Sequence, residues 1–471
     1  MGEKDMELER FFFTDEDAEF VHEQSLKVLA ETGCVFDDEK AIETFKKHGA
    51  KVDGVTVYFT RELVEKALST VVDSFEIYRP DGTLYSMGRG SKTMCAAGSP
   101  PYILDHDQFR FSVMDDYIKI CKLVQSSDCL DMTHLNLCDV YDIDRNERAY
   151  HMMAALLKYT TLPISITALM TAKEDTGMVA GRLIDMVSQF TGIADGHVLI
   201  GCVSPISPLA YIKEALDALY VYCERKQPIQ LATCSLPVLT SQASILGTII
   251  QNNAELLAAI TLIQLLQPGL PVFYGNTSTS TNLRKVSMAL GSSETALISL
   301  ATAKMAKYYH MPFRTSGALN DAVDIDFQAG VESTLNLMCG ALSDVDLVYF
   351  AAGMLSGFNV TSLEKYVVDE QLIKMVKRLY KGVAIDRTKD YTAEIQKVGP
   401  RGSFLKGRTP KEYRAEHFVP DIFVKQDYKS WEAEGSVSIK EKAAQVVEKR
   451  LESYQAPDIS SEQMAIIEKY L

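Results

Sequence analysis

Between residues 94 and 350 the chain repeats one pattern: a short apolar run, a polar or glycine-containing turn, then a segment long enough for a helix. The runs cover 94–97, 130–137, 163–167, 198–202, 229–233, 271–275, 312–315 and 347–350, eight in all. Strands buried on both faces read as unbroken apolar runs, and parallel strands need crossover segments of helical length. The pattern therefore predicts an α/β fold, a (β/α)8 TIM barrel over 91–380.

Flanking segments complete the expected organisation. Residues 1–90 read as a helical and hairpin extension. Thr14-Asp15-Glu16-Asp17 has capping-box spacing ahead of Phe20, Val21, Leu26, Val28 and Leu29, and Asp81-Gly82 turns between β-prone pieces at 75–78 and 83–85. Residues 381–471 form a polar C-terminal extension packed on the barrel, with a loop at 400–407 and helices near 438–454 and 461–471. Within the barrel, the helical segments 243–266 and 293–309 are long and apolar. The stretch 254–260 has a single charge, so terminal segments or a partner subunit must cover it, and a homo-oligomer is expected.

Hydrophobic residues make up 47% of the 471 and charged residues 24%, enough apolar material for a core of this size. The net charge of -15 argues against a nucleic-acid surface and against an anionic membrane. No run approaches the roughly 20 apolar residues of a membrane span, and the start at 1–5 is charged, so a cytoplasmic location is expected. Nine cysteines without a CxxC pair fit small buried hydrophobes, and eight scattered histidines without HxH or HExxH predict no metal site.

Barrel chemistry sits at the carboxyl ends of the strands. That selects Ser99, Asn136, Thr167, Ser204, Thr233, Tyr274, Asn276, Arg314, Ser316, Tyr349, Phe350 and the glycine turn at 353–358, with Thr315 beside Arg314. No paired carboxylates and no Ser/His/Asp order fit this geometry. Asp321, Asp324 and Asp326 either cap the following helix or, with a metal, serve an unrelated lyase or hydrolase. Arg314 is the one strong charge in a strand-end run, and it either pairs with an internal carboxylate or waits for an anionic ligand. Tyr274, Phe313, Tyr349, Phe350 and Phe358 suit packing, or a box for a quaternary ammonium held by about 0.5–2 kcal/mol per ring.

Five groups of residues carry a resemblance: Gly98-Ser99-Pro100; 270–275; 311–317 with 326–330; 352–355 with 364–369; and Gly402-Ser403-Phe404-Leu405 with Arg408-Thr409 and Trp431. In this order they resemble the trimethylamine methyltransferase superfamily, over nearly the whole chain. The resemblance implies a barrel that moves a methyl group from an amine to the cobalt of a separate corrinoid protein, with cob(I)alamin and methylcobalamin as co-substrate and no tightly bound cofactor. The founding enzymes carry pyrrolysine near the stretch matching 313–317, whereas this chain has only standard residues there. The likeness is thus to the non-pyrrolysine branch, which acts on glycine betaine, proline betaine, carnitine or γ-butyrobetaine. A quaternary nitrogen leaves as a neutral tertiary amine, so no acid or base residue is required. The resemblance places Arg314, Phe350 and Phe358 near the substrate pocket; Arg314 is expected to hold the substrate carboxylate and Tyr274, Phe313, Tyr349, Phe350 and Phe358 to enclose the cationic head, with Thr315 among the binding residues. Phe350 stands where some relatives have histidine, which favours proline betaine. The rival reading is a non-catalytic quaternary-amine-binding protein.

Overall fold

Each apolar run contributes one strand to a single parallel sheet: β1 (Thr93–Met94), β2 (Thr133–His134), β3 (Ile164–Ile166), β4 (Ile200–Val203), β5 (Ile229–Leu231), β6 (Val272–Gly275), β7 (Phe313–Ser316) and β8 (Leu347–Tyr349). The structure, a computed structural model, describes residues 13–471 apart from Ala97 and Lys406. The charged start, the last residue of the first run and one residue of the 400–407 loop therefore lie outside the described residues. Strand order is β1-β8-β7-β6-β5-β4-β3-β2, and a parallel bridge between Cys95 and Met132 closes β1 onto β2. There the Ala96 amide donates to the Met132 carbonyl at 3.0 Å. The result is a closed eight-stranded barrel.

Eight helices alternate with the strands: α1 (Met114–Gln125), α2 (Arg148–Tyr159), α3 (Thr176–Thr191), α4 (Lys213–Glu224), α5 (Ile245–Leu266), α6 (Ser293–Tyr308), α7 (Phe327–Leu342) and α8 (Leu363–Tyr380). Asp175, Ser244, Ser292 and Asp326 start four of them by accepting backbone N–H bonds. Successive strand residues face opposite sides. Cys95, Met132, Ile200, Phe273, Leu347 and Tyr349 meet in the barrel interior. Ile164, Leu231, Val272, Tyr274, Phe313 and Val348 join the larger core between strands and helices.

The hairpin Ser74–Tyr78 with Leu84–Gly88 turns at Gly82, whose φ of 81° suits glycine. It sends Ile77 and Met87 into the interior cluster, and the Phe75 ring meets Phe273 edge-on at 5.5 Å. Tyr78 is bonded to the carbonyl of His197 just before β4, so the hairpin plugs the amino ends of the strands. The opposite mouth is left for the site. Helices Asp15–Glu31 and Arg61–Leu68 cover α5, and every residue from 254 to 260 is buried. Thus the terminal extension covers this stretch. The α5 helix has the length and apolarity of a membrane span, but most of it is enclosed by the fold. C-terminal helices Ile439–Glu452 and Ser461–Ile467 pack on α8 and α1, and on α3 and α2.

Candidate active site

Arg314 lies in the middle of β7 with its side chain in the barrel interior, 2% exposed. One guanidinium nitrogen donates to the carbonyl of Asn276 at 2.8 Å and to the hydroxyl of Thr277, while Nε has no partner. Among the described residues no carboxylate is within ion-pair distance of it. Burial weakens its hold on the proton relative to an ordinary arginine. The guanidinium carbon sits 4.4 Å from the centre of the Tyr349 ring and 5.5 Å from that of Phe350. A buried cation with a spare donor and no counterion among the described residues can hold an anion.

Neutral polar groups share the interior. The His134 Nδ1 accepts the Asn136 amide at 2.9 Å, so the neutral ring carries its proton on Nε2, 3.4 Å from Thr167 Oγ1. Burial pushes its pKa down to about 3, and Arg314 adds to that shift. Its ring meets Tyr349 edge-on at 5.3 Å. Gln230 donates to Ser165 Oγ at 2.7 Å and leaves Oε1 unpaired; Tyr349 Oη and Ser316 Oγ are also unpaired. Burial raises the Tyr349 phenol well above its usual range, so it stays protonated. The arrangement can orient a small zwitterion, but it offers no general base. Beside it, Asn136 and Thr167 help line a cavity of about 350 Å³ at the carboxyl ends of β2 and β3.

Phe350, the residue after β8, takes φ of 57°, a left-handed conformation rare for a bulky side chain and costing about 1–3 kcal/mol. It is held by backbone bonds, Ala318 N–H donating to its carbonyl at 2.9 Å and Gly317 N–H to that of Tyr349 at 2.6 Å. The strain aligns a row of rings, with Tyr349 4.7 Å and Phe358 5.0 Å from Phe350. The turn that follows needs glycine at 353: φ is 91°, and a Cβ there would fall 2.2 Å from the Tyr366 ring. Asp369 on α8 accepts the Gly353 amide at 2.9 Å and is paired with Lys365, both side chains being buried. Lys365 also donates to Ser333 at 3.1 Å, and Asn320 donates to the Met354 carbonyl at 2.8 Å. This network ties α7 and α8 to the turn.

Of the residues singled out from the sequence, Arg314, Tyr349, Phe350 and Phe358 are brought together. Tyr274, Phe313 and Thr315 are not. With Arg314 inward, the two-residue period of β7 turns Phe313 and Thr315 toward the helices, and pairing Tyr274 opposite Phe313 turns Tyr274 the same way. Tyr274 donates instead to Asn253 on α5 at 2.6 Å. His134, Ser165 and Gln230 join Arg314 and Tyr349 in the interior without having been singled out from the sequence. Their signal was a polar residue interrupting an apolar run. Asp326 caps α7, Asp321 accepts the amides of Leu290 and Gly291, and Asp324 pairs with Lys440. Among the described residues no three His, Cys, Asp or Glu side chains are grouped to hold a metal.

A family model described as trimethylamine methyltransferase (MTTB) matches residues 7–471. The chain is 36% identical to the proline betaine:corrinoid methyltransferase of Eubacterium limosum, over 98% of this chain and 97% of that one. It is 34% identical to the L-carnitine:corrinoid methyltransferase of the same organism, over 97% and 96% of the two chains. A glycine betaine methyltransferase of Desulfitobacterium hafniense is 31% identical, over 97% and 96%. The crystal structure of the Methanosarcina barkeri monomethylamine methyltransferase matches with a TM-score of 0.54 over 81% of this chain and 80% of that one, at 13% identity, a likeness of fold. With its closed barrel and a match along nearly its whole length, the chain belongs to the trimethylamine methyltransferase family.

Proposed function

We propose that the chain takes a methyl group from a quaternary ammonium carboxylate and passes it to cob(I)alamin on a separate corrinoid protein. The observation that carries this reading is Arg314, a buried guanidinium with no carboxylate partner among the described residues, facing a row of aromatic rings. Its spare N–H groups hold the substrate carboxylate by charge-assisted bonds, and Tyr349, Phe350 and Phe358 enclose the cationic head. Relatives named for proline betaine, carnitine and glycine betaine support the substrate class. Proline betaine is the favoured donor, on the 36% identity of that relative and the bulky apolar wall made by Phe350 and Phe358.

The corrinoid supplies a cobalt nucleophile; this chain binds the donor, aims one methyl group at the open mouth and keeps water away. No proton moves, because the leaving group is already a neutral amine. That accounts for a site whose histidine is held neutral and whose tyrosine is held protonated. In this reading Tyr274 and Phe313, packed in the core, and Thr315, turned toward the helices, do not touch the substrate.

The test is the absorbance change from cob(I)alamin to methylcobalamin as each donor is added with the enzyme. Proline betaine should give the fastest conversion, with glycine betaine and carnitine slower and choline and trimethylamine slowest. Equal rates with choline would remove the role of the carboxylate. Tight binding of a betaine with no conversion for any donor would establish the binding-protein reading instead.

A further inference from the structure

The stretch 382–416 leaves the body of the protein and returns to the same point. Arg378 on α8 holds both ends, donating to the Gly382 carbonyl at 2.9 Å and to that of Glu416. Between them every described residue is exposed except Val398 and Gly399, which are half-buried, and the helices Thr392–Val398 and Lys411–Glu416 bury no residue. The arm nevertheless carries Val383, Ile385, Ile395, Phe404 and Leu405, the last 85% exposed. A 35-residue excursion with these side chains bare has no core of its own to repay its ordering entropy. It needs a surface to cover it.

Such a surface exists on the same chain. Phe327, Val331 and Leu342 are half or more exposed and fall on one stripe of α7, with Leu335 between them. Leu297 on α6 widens the stripe, and a groove of about 190 Å³ lined by Phe13, Leu300, Ala303 and Leu342 runs beside its lower end. Charge points the same way. The arm holds eight Lys and Arg against five Asp and Glu, net positive, whereas the chain as a whole carries -15. Long-range attraction therefore draws the arm to a second acidic chain, while at the groove itself, where Lys304 and Lys307 stand beside Asp344, the contact rests on the apolar side chains.

We propose that the 382–416 arm docks on the α6–α7 face of a second copy of this chain, and that the exchange is reciprocal across a two-fold axis. A self-complementary interface of this kind closes at two copies, and 35 residues compare with the roughly 20–30 a side of a stable interface. This inference does not depend on the proposed activity.

Sedimentation velocity of the full chain at tens of micromolar tests it. The wild-type chain should sediment as a dimer. Ile385→Asp with Leu405→Asp on the arm, or Phe327→Asp with Val331→Asp on the face, should each give a monomer with unchanged circular dichroism; all four positions are exposed, and serine replaces aspartate in any variant that loses its folded signal. Mixing the two variants should restore dimers, because a mixed pair keeps one intact arm on one intact face. A monomeric wild type, a variant that stays dimeric, or a mixture that stays monomeric would each overturn the proposal.

Discussion

Arg314 has given up its water without gaining a carboxylate among the described residues, and in the proposed reaction the substrate is the partner that completes it. Arg314→Ala should therefore lower kcat/KM for betaines by about 2 kcal/mol or more in transition-state terms, the scale for deleting half of a desolvated charge pair. Arg314→Lys should recover part of that loss, since an ammonium cannot reproduce the planar fork. If Arg314→Ala keeps wild-type kinetics, the carboxylate is bound elsewhere. Tyr274 supplies the contrast. Tyr274→Phe leaves the buried Asn253 oxygen without its donor, so it should lower thermal stability by about 1–3 kcal/mol with kcat/KM unchanged. His134 gives a pH signature. Its folded pKa of about 3 lies below the ordinary 6.5, so between those values the unfolded chain binds one more proton than the fold. Stability is lost as pH falls through that window, and His134→Gln should flatten this part of a denaturation-versus-pH curve. An unchanged slope would show that the ring is not held neutral. In the sequence Arg314 stands out as a charge within an apolar run, but the lack of a counterion depends on side chains from β4, β6 and β8 and is visible only when the barrel closes.

At the scale of elements, all eight strands could be read from the sequence because burial on both faces makes each a continuous apolar run. The same property hides which side chains face in, so that aromatic character alone groups Tyr274 and Phe313 with Arg314. Alternation outward from Arg314 separates them. The glycine turn after β8 depends on α8. Lys365→Met alone strands the buried Asp369 charge and should cost about 3–5 kcal/mol in chemical denaturation. Lys365→Met with Asp369→Leu removes both charges and should recover a good part of that stability. It still leaves the Gly353 amide unpaired, so kcat/KM should stay depressed while the fold is restored. If activity returns with stability, the pair braces the fold and does not set the turn. The capping box at Thr14 and the Asp81-Gly82 hairpin were legible because such signals are local. The α7–α8 network was not, since its members are far apart in the chain.

For the molecule as a whole, the hairpin plugs the amino ends of the strands, so in the proposed reaction the donor and the corrinoid meet on the carboxyl side. The measurement that tests the central claim most directly follows the methyl group itself. The enzyme, a corrinoid protein and a strong reductant are incubated with proline betaine carrying 13C in its N-methyl groups, and the products are read by NMR. The expected result is a cobalt-bound 13C-methyl signal and N-methylproline appearing in equal amounts, with neither product formed from labelled choline at a comparable rate. Labelled proline betaine recovered intact, alongside methylcobalamin formed readily from choline or trimethylamine, would contradict the account.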